Sequence, residues 1–285
     1  MKIYKISYNS DDFPSTLRHI PSPPKELYIL GDLGPLLEKP LLAVVGSRKV
    51  TPYGRSITLD LVRAVASQRV VIISGMALGV DALAHQAALE VGGKTIAVLP
   101  CGLDKPYPAT NRQLARKILE QGGVLMSEYP EGTPPLIQNF IARNRLESGM
   151  SDGVLITEAA IKSGTVHTAR FALEQGKTVM AVPGNITSEL SKGTNNLIRS
   201  GAVPVTRPED IFEVLDIMGT PEDHEVVAAN AEEAAILQLL KQGITDSSIL
   251  QTSSQLEVVV FNQTLTMLEL TGKIRPLGAG HWSLA

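Results

Sequence analysis

The chain has 285 residues, 44% hydrophobic and 19% charged, so it can bury a full core and is not of disordered composition. Its formal net charge of −3 excludes a globally basic nucleic-acid protein and confines any such surface to a local patch of Arg and Lys. The single cysteine excludes an intrachain disulfide, no apolar run approaches the roughly 18 residues of a membrane span, and no secretory core follows Met1, so a cytoplasmic protein is expected.

Residues 1–40 read as an irregular lead-in packed on the main domain. Pro14, Pro21, Pro23, Pro24, Pro35 and Pro40 interrupt any long element, leaving one short strand over 27–30. From residue 41 the pattern is regular. Strands are predicted over 41–45, 70–73, 94–99, 124–126, 154–156, 178–182 and 203–205. Between them helices fall at 54–67 (with Pro52 in the first turn), 80–91, 111–121, 139–150, 165–175 and 195–200, and a last one at 208–215. Strand alternating with helix implies a parallel sheet covered on both faces, an extended Rossmann-like α/β domain over 41–217. Residues 218–230 hold Gly, Pro, acidic and small residues and read as a linker. Helices over 232–241, from 245–247 and over 255–270, then strands at 273–275 and 281–284, predict a small winged-helix-like domain over 231–285.

The most regular stretch is 70–85, VVIISGMALGVDALAH. A strand buried on both faces meets a turn with Gly75 and Gly79, then a helix start carrying Asp81. Such a turn either holds an anion or merely lets the backbone turn tightly, and the residues do not choose between the two. In an open parallel sheet, ligands gather at the carboxyl ends of the strands. Gly46-Ser47-Arg48 follows the first of these strands; the arginine fork suits phosphate oxygens, and phosphate contact is favoured over a plain surface arginine. Phe140 beside Arg143-Asn144-Arg145 offers a stacking face and backbone charge for a single strand. From the residues alone, Phe140 reads slightly better as core. Lys162-Ser163-Gly164-Thr165 opens a helix and offers a third anion site, although a plain cap explains Thr165 equally well.

Other chemistry is less supported. The chain lacks GxGxxG after its first parallel strand and has no GKS or GKT triplet, which disfavours a dinucleotide and excludes a Walker A loop. Asp81 and His85 are spaced i, i+4, a pairing more often structural than catalytic. Glu128 and Glu158 follow strands but no activated nucleophile joins them, and Cys101 reads as a buried thiol. No catalytic residue, cofactor or metal site is assigned; His and Cys are too few for a zinc ribbon.

Taken together, the ordered blocks resemble one family. Ala43 to Arg48, Ser74 to His85, Ala97 to Asp104 with Tyr107-Pro108 and Asn111, Ser127-Glu128-Tyr129, Phe140 to Arg145, Ser163 to Thr165, and Val182-Pro183-Gly184 with Gly201-Ala202 stand as in the DprA family, also called Smf. The resemblance runs from about Phe13 through Leu215. It implies an extended Rossmann-like domain that binds and protects single-stranded DNA, dimerises, and loads the RecA recombinase on incoming strands in natural transformation and recombination, with no known enzymatic activity. It implies DNA contact for Gly46, Ser47, Arg48, Phe140, Arg143, Asn144 and Arg145. The alternative is a nucleotide-binding or nucleoside-monophosphate-cleaving enzyme of related Rossmann-like fold; Ser163-Gly164-Thr165 lacks the paired glycines of those enzymes' PGGxGT pattern.

The chain departs from the family at Ile137, where a basic residue is common, and at Ile141 and Ala142, which replace the usual proline and, in many members, an arginine. From Ala231 on, five acids face three bases, so the last domain reads as a protein-contact or regulatory wing, not a duplex reader. Fewer cations neutralise fewer phosphates, so oligonucleotide affinity is expected to be weaker, and to fall less steeply with salt, than in a typical member. A salt titration matching the steepness of a typical member counts against this.

Overall fold

The computed structural model describes residues 2–217, 228–278 and 280–284. Two compact units divide the chain, Met1–Met218 and Gly219–Ala285. The expected linker at 218–230 lies outside the described residues except for its last three positions.

The first unit is built on nine strands: β1 (Tyr4–Ser7), β2 (Glu26–Leu30), β3 (Leu41–Val45), β4 (Val71–Ser74), β5 (Thr95–Leu99), β6 (Val124–Ser127), β7 (Gly153–Ile156), β8 (Thr178–Ala181) and β9 (Val203–Pro204). Their order across the sheet is β1-β2-β6-β5-β4-β3-β7-β8-β9. From β6 to β9 every pairing is parallel. The parallel part therefore starts at β3 in mid-sheet, winds outward to β6, then returns to β7 on the other side. This reversal between β3 and β7 opens a crevice at their carboxyl ends.

The helices are α1 (Ser15–Arg18), α2 (Gly34–Leu37), α3 (Pro52–Ser67), α4 (Val80–Glu90), α5 (Arg112–Glu120), α6 (Ile137–Met150), α7 (Thr165–Glu174), α8 (Lys192–Arg199) and α9 (Pro208–Val214). They cover both faces, as the apolar strands require. Alternate strand residues separate cleanly. Ala43, Ile73, Val98 and Val154 pack with Leu146 and Met150 of α6 and Ala169 of α7. Leu42, Ile72 and Leu155 pack with Leu61 and Val65 of α3 and Ala84 of α4.

Two expectations change. The sheet is not wholly parallel: β1 and β2 extend it as antiparallel strands, β2 lying against β6. Residues 1–40 are thus part of the sheet, not only a cover upon it. β1 was illegible because its YKIS alternation buries only Ile6. The prolines fall at element starts where they are tolerated: Pro14 caps α1, and Pro35 stands in the first turn of α2. Elsewhere the differences are at the ends. Helix α6 begins at Ile137 and α8 at Lys192, two and three residues earlier than their patterns indicate.

The second unit holds α10 (Ala231–Lys241), α11 (Ser247–Ser254), α12 (Val258–Leu270) and a hairpin of β10 (Ile274–Gly278) with β11 (His281–Leu284). Its core is Ile236, Leu237, Leu240, Leu250, Phe261, Leu265, Leu268 and Ile274. Asn230 and Asp246 cap α10 and α11 with side-chain oxygens. Gln255 takes a left-handed conformation and ends α11, so α12 starts three residues later than its apolar pattern.

Ile72 in β4 is fully buried under α3 and α4. Ile72→Ala should destabilise the first unit by about 2–5 kcal/mol, seen as a lower denaturant midpoint with little change in slope.

Candidate nucleic-acid interface

The crevice at the switch point is a cleft of about 710 Å³. Gly46, Ser47, Arg48, Phe140, Arg143, Asn144, Ser163, Gly164 and Thr165 all line it, although they are scattered over some 120 residues of chain. Lys162 stands exposed beside Ser163, and Arg145 lies outside the lining.

The floor is fixed first. Leaving β3, the Ser47 N–H donates to the Glu158 carbonyl at 2.8 Å, and the Val80 N–H of α4 donates to the Ser47 carbonyl at 3.1 Å. Gly46 is a packing requirement: a Cβ there would press on Val80 and the Glu158 carbonyl. The Ser47 hydroxyl both donates to the Lys49 carbonyl (3.0 Å) and accepts from its N–H (3.1 Å), closing a tight turn. That turn projects Arg48 and Lys49 to solvent. Glycines 75 and 79 are explained internally as well. Gly75 leaves room for the Arg143 guanidinium, and Gly79, at φ +81°, lies against the Ser47–Arg48 backbone. The anion reading of the α4 start gives way to the packing one.

The wall is α6. Phe140 belongs to none of the hydrophobic cores and lines the cleft half-buried. Its ring has Tyr107 edge-on at 5.7 Å and the Arg48 guanidinium 5.3 Å from its centroid. A cation, two aromatic rings and the Asn144 amide are thus brought to one rim. Beside α6, where the Asn144 amide donates to the Gly164 carbonyl at 3.4 Å, Ser163, Gly164 and Thr165 present the positive end of α7 to the cleft. The Ser163 hydroxyl is buried with no protein partner.

Two arginines expected at the DNA are engaged within the protein. Arg143 is 4% exposed. Its guanidinium donates to the Gly75 carbonyl at 2.7 Å and to the Val98 carbonyl, and pairs with Glu147 at 3.2 Å. Arg145 points away from the cleft and holds both oxygens of Glu128 at 2.7 Å. Both arginines set the position of α6 instead of meeting solvent, because a guanidinium facing a sheet end finds carbonyls and carboxylates there.

The acids are also engaged. Glu158 accepts from the Thr51 N–H at 2.9 Å and from the Thr51 hydroxyl, capping α3. His85 bonds Thr95 (2.6 Å) and not Asp81; burial lowers its pKa to about 3. Asp81 is held by the Ala77 N–H at 3.2 Å, and burial pushes its carboxyl up. Burial raises Glu147 to about 8, with Arg143 opposing and Asp81 adding to the rise. Burial likewise raises the Cys101 thiol. No described helix is long and apolar enough to cross a membrane.

Sequence reasoning did not single out Tyr107, Lys49 or Glu147 as cleft residues. A tyrosine in Lys105-Pro106-Tyr107-Pro108 just after a strand end was the available signal for the first; for Glu147, the i, i+4 spacing from Arg143 was.

The family described as DNA recombination-mediator protein A matches residues 5–216. The chain is 46% identical over 210 residues to Protein Smf of Escherichia coli K12, a match covering 74% of this chain and 56% of that protein. The match thus spans little more than half of that relative. The X-ray structure of DNA processing protein A from Streptococcus pneumoniae superposes with a TM-score of 0.70 at 40% identity, covering 74% of each chain. That of DNA processing protein A from Helicobacter pylori, described by its single-stranded DNA binding mode, gives 0.68 at 35% identity, over 75% of this chain and 95% of that one.

Buried Glu147 binds its proton more tightly folded than unfolded, so between its ordinary value of 4.5 and about 8 the folded state carries the extra proton. Stability therefore falls as pH rises through that window. Neutral His85 works the other way, adding stability as pH climbs from about 3 to 6.5. Above pH 7 only the Glu147 effect remains of the two. Denaturant unfolding between pH 7 and 8.5 should show declining stability, and Glu147→Gln should flatten the decline.

Proposed function

Because the chain belongs to the DNA recombination-mediator protein A family, we propose that it binds single-stranded DNA across the cleft between β3 and β7, without cutting it. One observation carries the reading: an exposed Arg48 lies over Phe140 in a switch-point cleft that is also lined by a helix start. A single strand needs a face for its bases and positive charge for its backbone, and the two occur here within one contact. In this reading Arg48 and the α7 start hold phosphates, with Lys162 at the rim and Phe140, flanked by Tyr107, stacking a base. Asn144 donates to a base or sugar. Gly46 and Ser47 shape the loop, while Arg143 and Arg145 position α6 from behind it. The H. pylori relative, described by its single-stranded DNA binding mode, supports a single strand as the ligand.

The finer parts of the proposal follow the family. The protein acts as a homodimer in the cytoplasm, shields incoming strands during natural transformation and recombination, and hands them to RecA. The second unit is a protein-contact wing.

Fluorescence anisotropy with labelled oligo-dT tests the core of this. Arg48→Ala should weaken binding and make the salt slope shallower by about 0.7, the loss of one phosphate contact. Phe140→Ala should cost about tenfold or more, within the range of one lost base stack, with the slope unchanged. Wild-type affinity in both variants would refute the cleft as the binding site.

A further inference from the structure

One exposed helix surface close to the cleft is strongly cationic. Helix α5 buries Leu114, Ala115 and Ile118 and turns Arg112, Arg116 and Lys117 outward. None of the ion pairs among the described residues takes any of these three. In a chain of net charge −3, three unpaired cations within six residues are a departure from the average surface. The acid on this helix, Glu120, stands at its far end.

The cations do not serve the helix. Arg112 is the first residue of α5, where a positive charge opposes the helix dipole, and no acid offsets it in the first turn. The preceding Asn111 makes no side-chain cap. Its amide instead donates to the Met76 carbonyl at 2.8 Å, next to cleft-lining Ala77. The start of α5 is thus doubly electropositive and is tied to the cleft wall. Tyr107, which meets Phe140 edge-on, is separated from Arg112 only by a short turn over Ala109–Asn111. Arg112 and Arg116 are four residues apart, so they share one face and lie about 6 Å from each other along the helix.

We propose that a strand leaving the cleft past Tyr107 continues along the outer face of α5, where Arg112, Arg116 and Lys117 hold its phosphates. This rests on the reading of the cleft as a single-strand site. It adds a second segment to that site, one that acts only on strands long enough to reach it. The contacts there are to the backbone alone, so they carry no base preference.

The test compares two oligo-dT lengths, roughly six and twenty nucleotides, against the full-length protein. The variant is Arg112→Gln/Arg116→Gln, both exposed and both replaced by a residue that favours helix. A control, Lys39→Gln/Arg69→Gln, removes two cations just ahead of β3 and β4, at the opposite edge of the sheet. The short oligonucleotide should bind the α5 variant within about twofold of wild type. The long one should bind about tenfold more weakly at physiological salt, with a salt slope shallower by about 1.4, the loss of two phosphate contacts. The control should bind both lengths as wild type does. Unchanged long-strand binding in the α5 variant, or an equal loss in the control, overturns the path while leaving the cleft reading intact. Failure of the wild type to bind either length removes both.

Discussion

A single buried guanidinium sets the geometry of the cleft. Arg143 reaches from α6 to the carbonyls of Gly75 and Val98, just past the end of β4 and within β5, and is paired with Glu147 one turn along its own helix. Removing such a charge from water costs several kcal/mol, and it is tolerated only when its donors are met. Here the Gly75 and Val98 carbonyls and the Glu147 carboxyl group meet the guanidinium and tie α6 to the sheet. Phe140 sits one turn before Arg143, and its place at the cleft mouth follows from that anchor. Gly75 belongs to the same device, since any side chain there would occupy the space of the guanidinium.

The opposite side of the cleft is held by a carboxylate. Glu158, at the end of β7, receives the Thr51 N–H and hydroxyl at the start of α3, and its own carbonyl receives the Ser47 N–H. The two strands that flank the switch point are thereby locked to each other and to α3. Gly54 lacks a side chain where the carboxylate lies. Between these two anchors the Ser47 turn has no freedom left, and Arg48 is directed outward over Phe140. The buried charged groups thus act as scaffold, and the exposed ones are left for a ligand.

This division explains how charge is used in a slightly acidic protein. Arg145 is neutralised by Glu128, and Arg143 is taken up inside the protein by Glu147 and two backbone carbonyls, so neither is offered to a ligand. Exposed cations outside the ion pairs include Arg48 and Lys49 on the Ser47 turn and Arg112, Arg116 and Lys117 on α5. A local patch of this kind attracts a polyanion although the whole chain repels it, and the attraction is screened by salt.

Much of this architecture was legible in the sequence. Apolar runs such as 41–45 and 94–99 mark strands buried on both faces, and their alternation with helical spacing fixes a parallel Rossmann-like sheet. The ordered motifs also identify the strand ends as the working edge, because a parallel sheet brings every carboxyl end to one rim. Periodicity could not give β1 and β2 their antiparallel places, since a strand of four or five residues with one or two buried positions carries no pairing information. Nor could it sort the arginines. Arg48, Arg143 and Arg145 are chemically identical in sequence, and only tertiary contacts decide that one faces solvent while two are consumed by carbonyls and carboxylates. Phe140 shows the same limit: an aromatic at helical spacing reads as core until the packing leaves it outside. Sequence determines which elements form and which edge they share; the choice between scaffold and contact residue is made by long-range packing, where burial and available partners first exist.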